Sequence, residues 1–249
     1  MKAAILYKAN TPLEVVDVQQ QGPQGGEARV RVKAAGVCHS DWHIINGDWT
    51  LPLPMVLDPE AAGIVAFDGR QFNAHRALGH VADNFNSENV IERLTGHAAI
   101  GHTRYATTGA TILRNVQPLF AELEFGGFAI AHNGNLTNTE TIRRELVKRG
   151  SLFQSTTDTE VITHLMATSL RASLIDRLID ALHRIEGAYS LVCIADDMVL
   201  GIRDPLGVRP LSLGRLGTAN ILASETCAFD IIGAEFVRWG IATAVAGAL

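Results

Sequence analysis

The segment FAIAHNGNLTN, residues 128–138, decides how the rest of the chain is interpreted. Phe128 to Ala131 form an apolar run without helical spacing, which predicts a strand buried on both faces. The next pair, Asn133-Gly134, is typical of a tight turn, and the Thr-x-x-Glu pattern from Thr137 to Glu140 predicts a capping box. We therefore predict a strand, a turn and a capped helix, with backbone N–H groups and an Asn amide placed where an oxyanion could be stabilised.

Three further polar motifs accompany this segment. Residues 100–109 read IGHTRYATTG, residues 155–160 read STTDTE, and residues 203–211 read RDPLGVRPL. In this order and spacing, the four blocks resemble the glutaminase domain of the amidophosphoribosyltransferases, a family of N-terminal-nucleophile amidotransferases. The resemblance covers about residues 60–238. It implies an α+β fold, the four-layer αββα sandwich of those hydrolases, and glutamine hydrolysis that supplies ammonia for the first step of purine biosynthesis.

The resemblance also assigns a glutamine site. Hydrolysis of an amide is acyl transfer, which needs a nucleophile, a base, an oxyanion hole and a clamp for the charged end of the substrate. By resemblance, Asn133 and Gly134 form the oxyanion hole, and Arg104 pairs its planar guanidinium with the α-carboxylate. Asp158 would receive the α-amino group. Taken alone, an Arg or Asp at the end of a strand or helix is more often a structural pair or cap.

The first 57 residues follow another pattern. Residues 28–34 alternate apolar and charged side chains, which predicts a half-buried strand, and residues 35–43 read AGVCHSDWH. This segment is similar to the opening of zinc-dependent medium-chain alcohol dehydrogenases, in which the cysteine matching Cys38 binds zinc. The family's second ligand is a histidine, and Pro59 stands in its place. Since proline cannot bind a metal, and no Gly-x-Gly-x-x-Gly motif follows a strand, we expect neither a metal nor a cofactor.

The catalytic nucleophile implied by the resemblance is a cysteine at the mature N terminus, with its own amine as base. The chain starts with Met1, and Cys38 is internal. Loss of such a nucleophile lowers kcat by roughly 10⁶-fold, so we expect glutamine binding with little or no hydrolysis. We also expect unpaired backbone groups where the first strand of the family is missing. Two alternatives stay open: a truncated zinc oxidoreductase and a non-catalytic glutamine-binding module.

Composition limits the remaining classes. The net charge is −5 and the isoelectric point is near 6.0, without a basic stretch, which argues against nucleic-acid binding. The mean hydropathy is +0.14 and no apolar run is long enough to span a membrane. The three cysteines, Cys38, Cys193 and Cys227, have no paired spacing, which favours a cytoplasmic setting. A homo-oligomer is compatible with the sequence, which does not determine the oligomeric state.

We divide the chain into a dehydrogenase-like, strand-rich fragment at residues 1–59, a glutaminase domain without its first strand and helix at residues 60–238, and an unassigned tail at residues 239–249. The tail, WGIATAVAGAL, suggests a frayed helix or a read-through extension. Helices are predicted at residues 87–94, 140–148, 157–170, 173–185 and 226–232. Strands are predicted at residues 3–7, 13–18, 28–34, 64–67, 71–75, 98–104, 188–194, 199–203, 210–213 and 220–223.

Overall fold

The computed structural model describes residues 2–17, 45–47, 55–56, 61–79, 81–85, 87–104, 112–195, 198–239 and 247–248. Its strands are β1 (Lys2–Leu6), β2 (Glu14–Asp17), β3 (Met55–Val56), β4 (Ala61–Phe67), β5 (Phe72–Leu78), β6 (Ala98–Arg104), β7 (Leu119–Leu123), β8 (Gly126–Leu136), β9 (Gly187–Ala195), β10 (Met198–Arg203), β11 (Ser212–Leu216), β12 (Ala219–Ala223), β13 (Glu235–Trp239) and β14 (Gly247–Ala248). Its helices are α1 (Val81–Asn84), α2 (Glu88–Arg93), α3 (Thr139–Lys148), α4 (Thr159–Thr168), α5 (Leu174–Leu182) and α6 (Cys227–Ile232). None of these helices is long and apolar enough to cross a membrane.

A five-stranded antiparallel sheet lies at the centre, in the order β14-β10-β9-β8-β7. Strand β8 pairs with β9 along its whole C-terminal half. Because side chains alternate across a strand, Phe128 and Ile130 of β8 face the helices α3, α4 and α5, whereas Ala129 faces a second sheet. The side chains of the polar residues that follow in β8 likewise point alternately to the two faces of the sheet.

The second sheet has the order β5-β4-β6. Val65, Phe67 and Ile100 of this sheet pack against Ala129 and Ile194 of the five-stranded sheet. On its other face, the short helices α1 and α2 contact β5. Helices, two packed sheets and a thin helical layer therefore follow one another, which confirms the predicted α+β class and its αββα layering.

Two smaller sheets complete the described chain. One joins β12, β11 and β13, with a bulge in the β11–β13 register at Leu213 and Gly214, and α6 packs on it through the buried ring of Phe229. The other joins β2, β1 and β3. In the β5-β4-β6 sheet, β4 is paired on both sides. In the described part of that sheet, the open edges belong to β5 and β6.

The predicted turn at Asn133-Gly134 is wrong. Strand β8 runs on through both residues to Leu136, and Gly134 pairs with Tyr189 of β9. Gly134 has a φ of +150° inside the strand, so its conformational freedom serves an extended path that passes very close to β9. The Asn-Gly pair is a turn signal only when no neighbouring strand competes for the backbone.

The capping box predicted from Thr137 to Glu140 is also wrong, and the Thr-x-x-Glu pattern from Thr157 to Glu160 does not form one either. Helix α3 begins at Thr139, and the Thr137 hydroxyl donates to the Glu186 carbonyl instead, at 3.2 Å. Helix α4 begins at Thr159 rather than at Thr157. The carboxylate of Glu160 accepts hydrogen bonds from the preceding loop. In both cases a partner elsewhere takes the group that a capping box would use.

The other predicted elements of the glutaminase region are present with somewhat different bounds. The strands predicted at residues 64–67 and 71–75 form an antiparallel hairpin that turns at Asp68-Gly69, where Asp68 Oδ1 accepts from the N–H groups of Arg70 and Gln71 at 2.8 and 2.9 Å. Strands β7 and β13 were not predicted, although β7 alternates buried and exposed residues. The strand predicted at residues 28–34 lies outside the described residues. Within the tail, Gly247–Ala248 pairs with β10 as a short strand, not as a helix.

Candidate active site

Strand and helix ends position the four residues that the sequence singles out. Arg104 is the last residue of β6 and is buried. Asn133 and Gly134 lie in β8, and Asp158 directly precedes α4. Strand β6 contacts β8, and Asp158 is hydrogen-bonded to β8. The structure therefore brings these segments to the same region of the two-sheet core.

Position 134 requires glycine because there is no space for a side chain. A Cβ atom at this residue would lie 2.1 Å from the Ala188 carbonyl oxygen and 2.9 Å from His132 Nε2. Its φ of +150° also disfavours L-residues. The backbone of β8 is thus closely held against β9 at the position where the resemblance predicts an oxyanion hole.

Asp158 is anchored to β8 by two contacts. Its Oδ2 accepts the Leu136 N–H at 3.0 Å, and its Oδ1 lies 3.4 Å from His132 Nδ1. Burial raises the pKa of this carboxyl, but hydrogen bonding with His132 and with the N–H groups of Leu136 and Thr159 outweighs burial, so the net pKa is lowered. The group is therefore a carboxylate at neutral pH, as a partner for an ammonium requires.

His132 is a residue that sequence reasoning did not assign to the site. The backbone N–H of His132 donates to Gln117 Oε1 at 2.7 Å, and its ring Nδ1 lies 3.3 Å from Thr159 Oγ1. The ring is almost fully buried, and its Nε2 has no hydrogen-bond partner among the residues that the structure describes. Its position in the candidate site is evident only from the tertiary contact with Asp158, because a single histidine in a sequence does not indicate a site.

The loop that carries Asp158 is held by two charged side chains, the buried Glu160 and the half-buried Arg143. Glu160 accepts from the N–H groups of Gln154 and Ser155 at 2.7 and 2.8 Å. The guanidinium of Arg143 donates to the carbonyls of Ser155 and Thr157 at 3.1 and 2.8 Å. These bonds fix the path of residues 154–158, and this explains why the polar STTDTE motif is mostly buried.

Arg209 supplies a contact that the sequence did not predict. Its Nη2 donates to Asn133 Oδ1 at 2.8 Å. The loop before it is braced by Asp204, which is nearly inaccessible and accepts the N–H groups of Val208 and Arg209 at 3.1 and 3.2 Å. The RDPLGVRPL motif therefore reaches the predicted oxyanion hole through one arginine.

His102 and Arg104 lie two residues apart in β6. The pKa of His102 is lowered to about 4, first by burial and then by the nearby groups of His132 and Arg104. A neutral His102 therefore shares the site with Arg104 at physiological pH. The described part of the chain holds no group of three or more His, Cys, Asp or Glu residues that could bind a metal ion.

Two of the three thiols are in the described residues. Cys193 lies in the core of the central sheet, and burial raises its pKa, which suppresses the reactive thiolate. Cys227 is exposed at the start of α6. Cys38 and Pro59, on which the zinc argument depends, lie outside the described residues.

Comparison with known proteins identifies the family. A family model described as a glutamine amidotransferase domain matches residues 102–230, more than half of the chain. The chain belongs to the glutamine amidotransferase family. A second model, the alcohol dehydrogenase GroES-like domain, matches residues 24–129 and overlaps the first. Both resemblances seen in the sequence are thereby confirmed.

Relatives with similar sequences have a more specific name, amidophosphoribosyltransferase. An amidophosphoribosyltransferase of Rhizobium etli is 54% identical over 179 residues, covering 72% of this chain and 36% of the relative. The Bacillus subtilis amidophosphoribosyltransferase is 42% identical over 180 residues, covering 72% of this chain and 38% of the relative. This chain thus spans little more than a third of their length.

Solved structures give the same result. The glutamine phosphoribosylpyrophosphate amidotransferase of B. subtilis, complexed with ADP and GMP, superposes with a TM-score of 0.69 at 40% identity, over 74% of this chain and 40% of that one. A structure described as the allosteric regulatory enzyme of purine biosynthesis superposes with a TM-score of 0.71 at 40% identity, with the same coverage. The N-terminal-nucleophile hydrolase fold expected from the sequence is therefore confirmed.

Proposed function

We propose that this chain binds L-glutamine at the junction of β6, β8 and the start of α4. The observation that carries the proposal is the Asp158 carboxylate, which is held on β8 by the Leu136 N–H and has a lowered pKa. A partly buried, ionised carboxylate beside β8, the strand that also carries the Asn133 amide, suits a ligand with both an ammonium and an amide.

The other roles follow from the chemistry of each group. Arg104, buried at the end of β6, would pair with the α-carboxylate of glutamine. Asn133 and the backbone N–H of Gly134 would receive the side-chain carbonyl oxygen. These donors are the ones an oxyanion would need during amide hydrolysis.

We further propose that hydrolysis by this chain is slow. The described thiols do not support a nucleophile: Cys193 is buried with a raised pKa, and Cys227 lies at the surface of a peripheral helix. Upstream of residue 102, where the family carries its cysteine strand, the chain matches a dehydrogenase model instead. Without a nucleophile, substrate binding and the oxyanion hole alone provide only a small fraction of the kcat of an intact enzyme.

The wider role is a proposal as well. The relatives named amidophosphoribosyltransferase are almost three times as long as the matched region, so transfer of ammonia to a phosphoribosyl group would require the part that this chain does not match. We place the domain in purine biosynthesis in the cytoplasm, with glutamine as its ligand, and a homo-oligomer is compatible with this role. The division at residues 59 and 238 belongs to the same proposal.

Calorimetry with L-glutamine and D-glutamine tests the proposal, together with an ammonia assay and an intact-mass measurement of the N terminus. We expect one L-glutamine per chain, no heat from the D-enantiomer, and ammonia release near background. Arg104→Lys should weaken binding because a single ammonium replaces a two-point fork. The exposed Arg215→Met is the matched control. Absence of L-glutamine binding would refute the binding role, and turnover blocked by thiol alkylation would refute slow hydrolysis.

A further inference from the structure

We infer that Arg209 is a positioning residue for the oxyanion hole, because its guanidinium orients the Asn133 side-chain amide so that Nδ2 faces the ligand. The inference rests on the proposed function, since it concerns how the same site would hold the glutamine carbonyl oxygen. Arg209 itself would not touch the ligand. Its effect would pass entirely through Asn133.

The chemistry of the contact sets the orientation of the amide. Nη2 of Arg209 lies 2.8 Å from Oδ1 of Asn133. A guanidinium has five N–H donors and no acceptor, so the amide can meet it only with its oxygen. The Nδ2 group is then turned away from Arg209, where its N–H groups are available to donate. An oxyanion accepts hydrogen bonds and gives none, so this is the productive orientation.

Neither side chain has another hydrogen bond to set its orientation in the described part of the chain. Asn133 is half-buried, and its only side-chain hydrogen bond there is the one from Arg209. The buried Nε of Arg209 has no partner in the same part. Without the guanidinium, both rotamers of the Asn133 amide would be open, and one of them would aim an oxygen at the ligand's oxygen.

Arg209 is in turn held by its own loop. Arg203 donates from Nε to the Arg209 carbonyl at 2.6 Å and from Nη2 to the Gly207 carbonyl at 2.5 Å. Asp204 Oδ2 accepts the Arg209 N–H at 3.2 Å. Both backbone groups of Arg209 are thus fixed, so its side chain reaches Asn133 from a rigid base.

A double-mutant cycle measured by calorimetry with L-glutamine tests the inference. Arg209→Met should weaken L-glutamine binding roughly tenfold, as expected for one misplaced hydrogen bond. The same change should have less than about a twofold effect in an Asn133→Ala background. Arg209→Lys, which keeps a donor, should recover part of the loss. Arg215→Met, at an exposed arginine of β11, should bind like the wild type.

Asn133→Asp separates orientation from stability. A carboxylate keeps the acceptor for Arg209 but has no N–H group for the ligand. This variant should unfold at a temperature no lower than the wild type and still bind L-glutamine roughly tenfold more weakly. It also keeps the test decisive if Arg209→Met does not fold.

The outcomes separate the two ideas. If the wild type binds L-glutamine and Asn133→Asp binds it equally well, the positioning role is refuted while the glutamine site stands. An effect of Arg209→Met that is undiminished by Asn133→Ala also refutes the role, because Arg209 would then act by another route. A wild type that binds no L-glutamine refutes both the proposed function and this inference.

Discussion

Nδ1 of His132 lies 3.4 Å from Oδ1 of Asp158, although the two residues belong to a central strand and to a helix start. The same carboxylate accepts the Leu136 N–H at 3.0 Å through its other oxygen. Asp158 therefore links β8 and α4, and it supplies a partly buried negative charge beside the proposed oxyanion hole. One carboxylate thus serves both packing and the proposed ligand site.

Asp158→Asn should weaken L-glutamine binding about 10- to 100-fold, because a charge-assisted hydrogen bond to the ammonium contributes about 1.5–3 kcal/mol. Stability should fall by only about 1 kcal/mol, since the Asn oxygen can still accept the Leu136 N–H. Calorimetry and urea denaturation measure the two effects. Asp180→Asn, on the exposed face of α5, should leave binding unchanged. Equal affinities for Asp158→Asn and the wild type would remove the ammonium role.

The lowered pKa of Asp158 fixes the sign of a pH effect. A carboxyl whose native pKa is depressed stabilises the fold above its unfolded pKa of 3.8, and this contribution disappears as pH falls through the native value. The carboxylate thus stays ionised between pH 7 and 5. We expect L-glutamine affinity to be flat over that range in calorimetry, and a tenfold loss at pH 5 would contradict the ionised state.

Glu160 and Glu140 offer a matched comparison, since both occur in a Thr-x-x-Glu motif. Glu160 is buried and accepts three hydrogen bonds from Gln154 and Ser155, so Glu160→Gln should lower the free energy of unfolding by about 2 kcal/mol. The Glu140 side chain is 73% exposed and pairs only with Arg144 in the described residues, so Glu140→Gln should cost below about 0.5 kcal/mol. Urea denaturation measures both, and similar losses would contradict the buried network.

Gly134→Ala tests the close approach of β8 to β9. The new methyl would lie 2.1 Å from the Ala188 carbonyl oxygen, and a backbone clash in a sheet should cost more than about 3 kcal/mol. Gly150→Ala is the control, since its φ is +95° but nothing lies within 4 Å of the added atom. That change should cost about 1 kcal/mol. A tolerated Gly134→Ala, seen as an unchanged melting temperature, would rule out the register of these strands.

His102 should make the fold sensitive to acid. Its native pKa is lowered from 6.5 to about 4, so the unfolded chain binds more protons between those values and stability falls as pH drops through them. The loss should reach about 3 kcal/mol at pH 4. Urea denaturation at pH 7 and 4.5 should show a smaller difference for His102→Gln than for the wild type or the exposed His97→Gln. Identical pH dependence in all three proteins would refute a neutral His102 in the native state.

Local patterns predicted most elements of the fold. The Asp68-Gly69 hairpin, the strand that ends at Arg104 and the amphipathic helices α3 and α5 depend on residues close in sequence. Long-range competition defeated other local signals. The Thr137 hydroxyl donates to the Glu186 carbonyl, 49 residues away in the sequence. A Thr-x-x-Glu spacing indicates neither the identity nor the sequence position of such a partner.

The candidate site was predictable only as a set of positions taken from a family resemblance. Periodicity placed Arg104 at a strand end, but the Asn133-Gly134 pair gave the wrong local structure, because its preference for a turn was overruled by pairing with β9. His132 and Arg209 were missed as contributors. The contact of Arg209 with Asn133 joins residues 76 positions apart, and nothing local in either residue indicates it.

That 76-residue separation also orders events during translation. Until residue 209 has been synthesised, the Asn133 amide lacks the guanidinium that contacts it in the folded chain. A nascent chain or a proteolytic fragment that stops before residue 209 would retain the strand but not its oriented amide. Under the proposed function, a chain that lacks residue 209 would therefore bind L-glutamine no more tightly than the Arg209→Met variant.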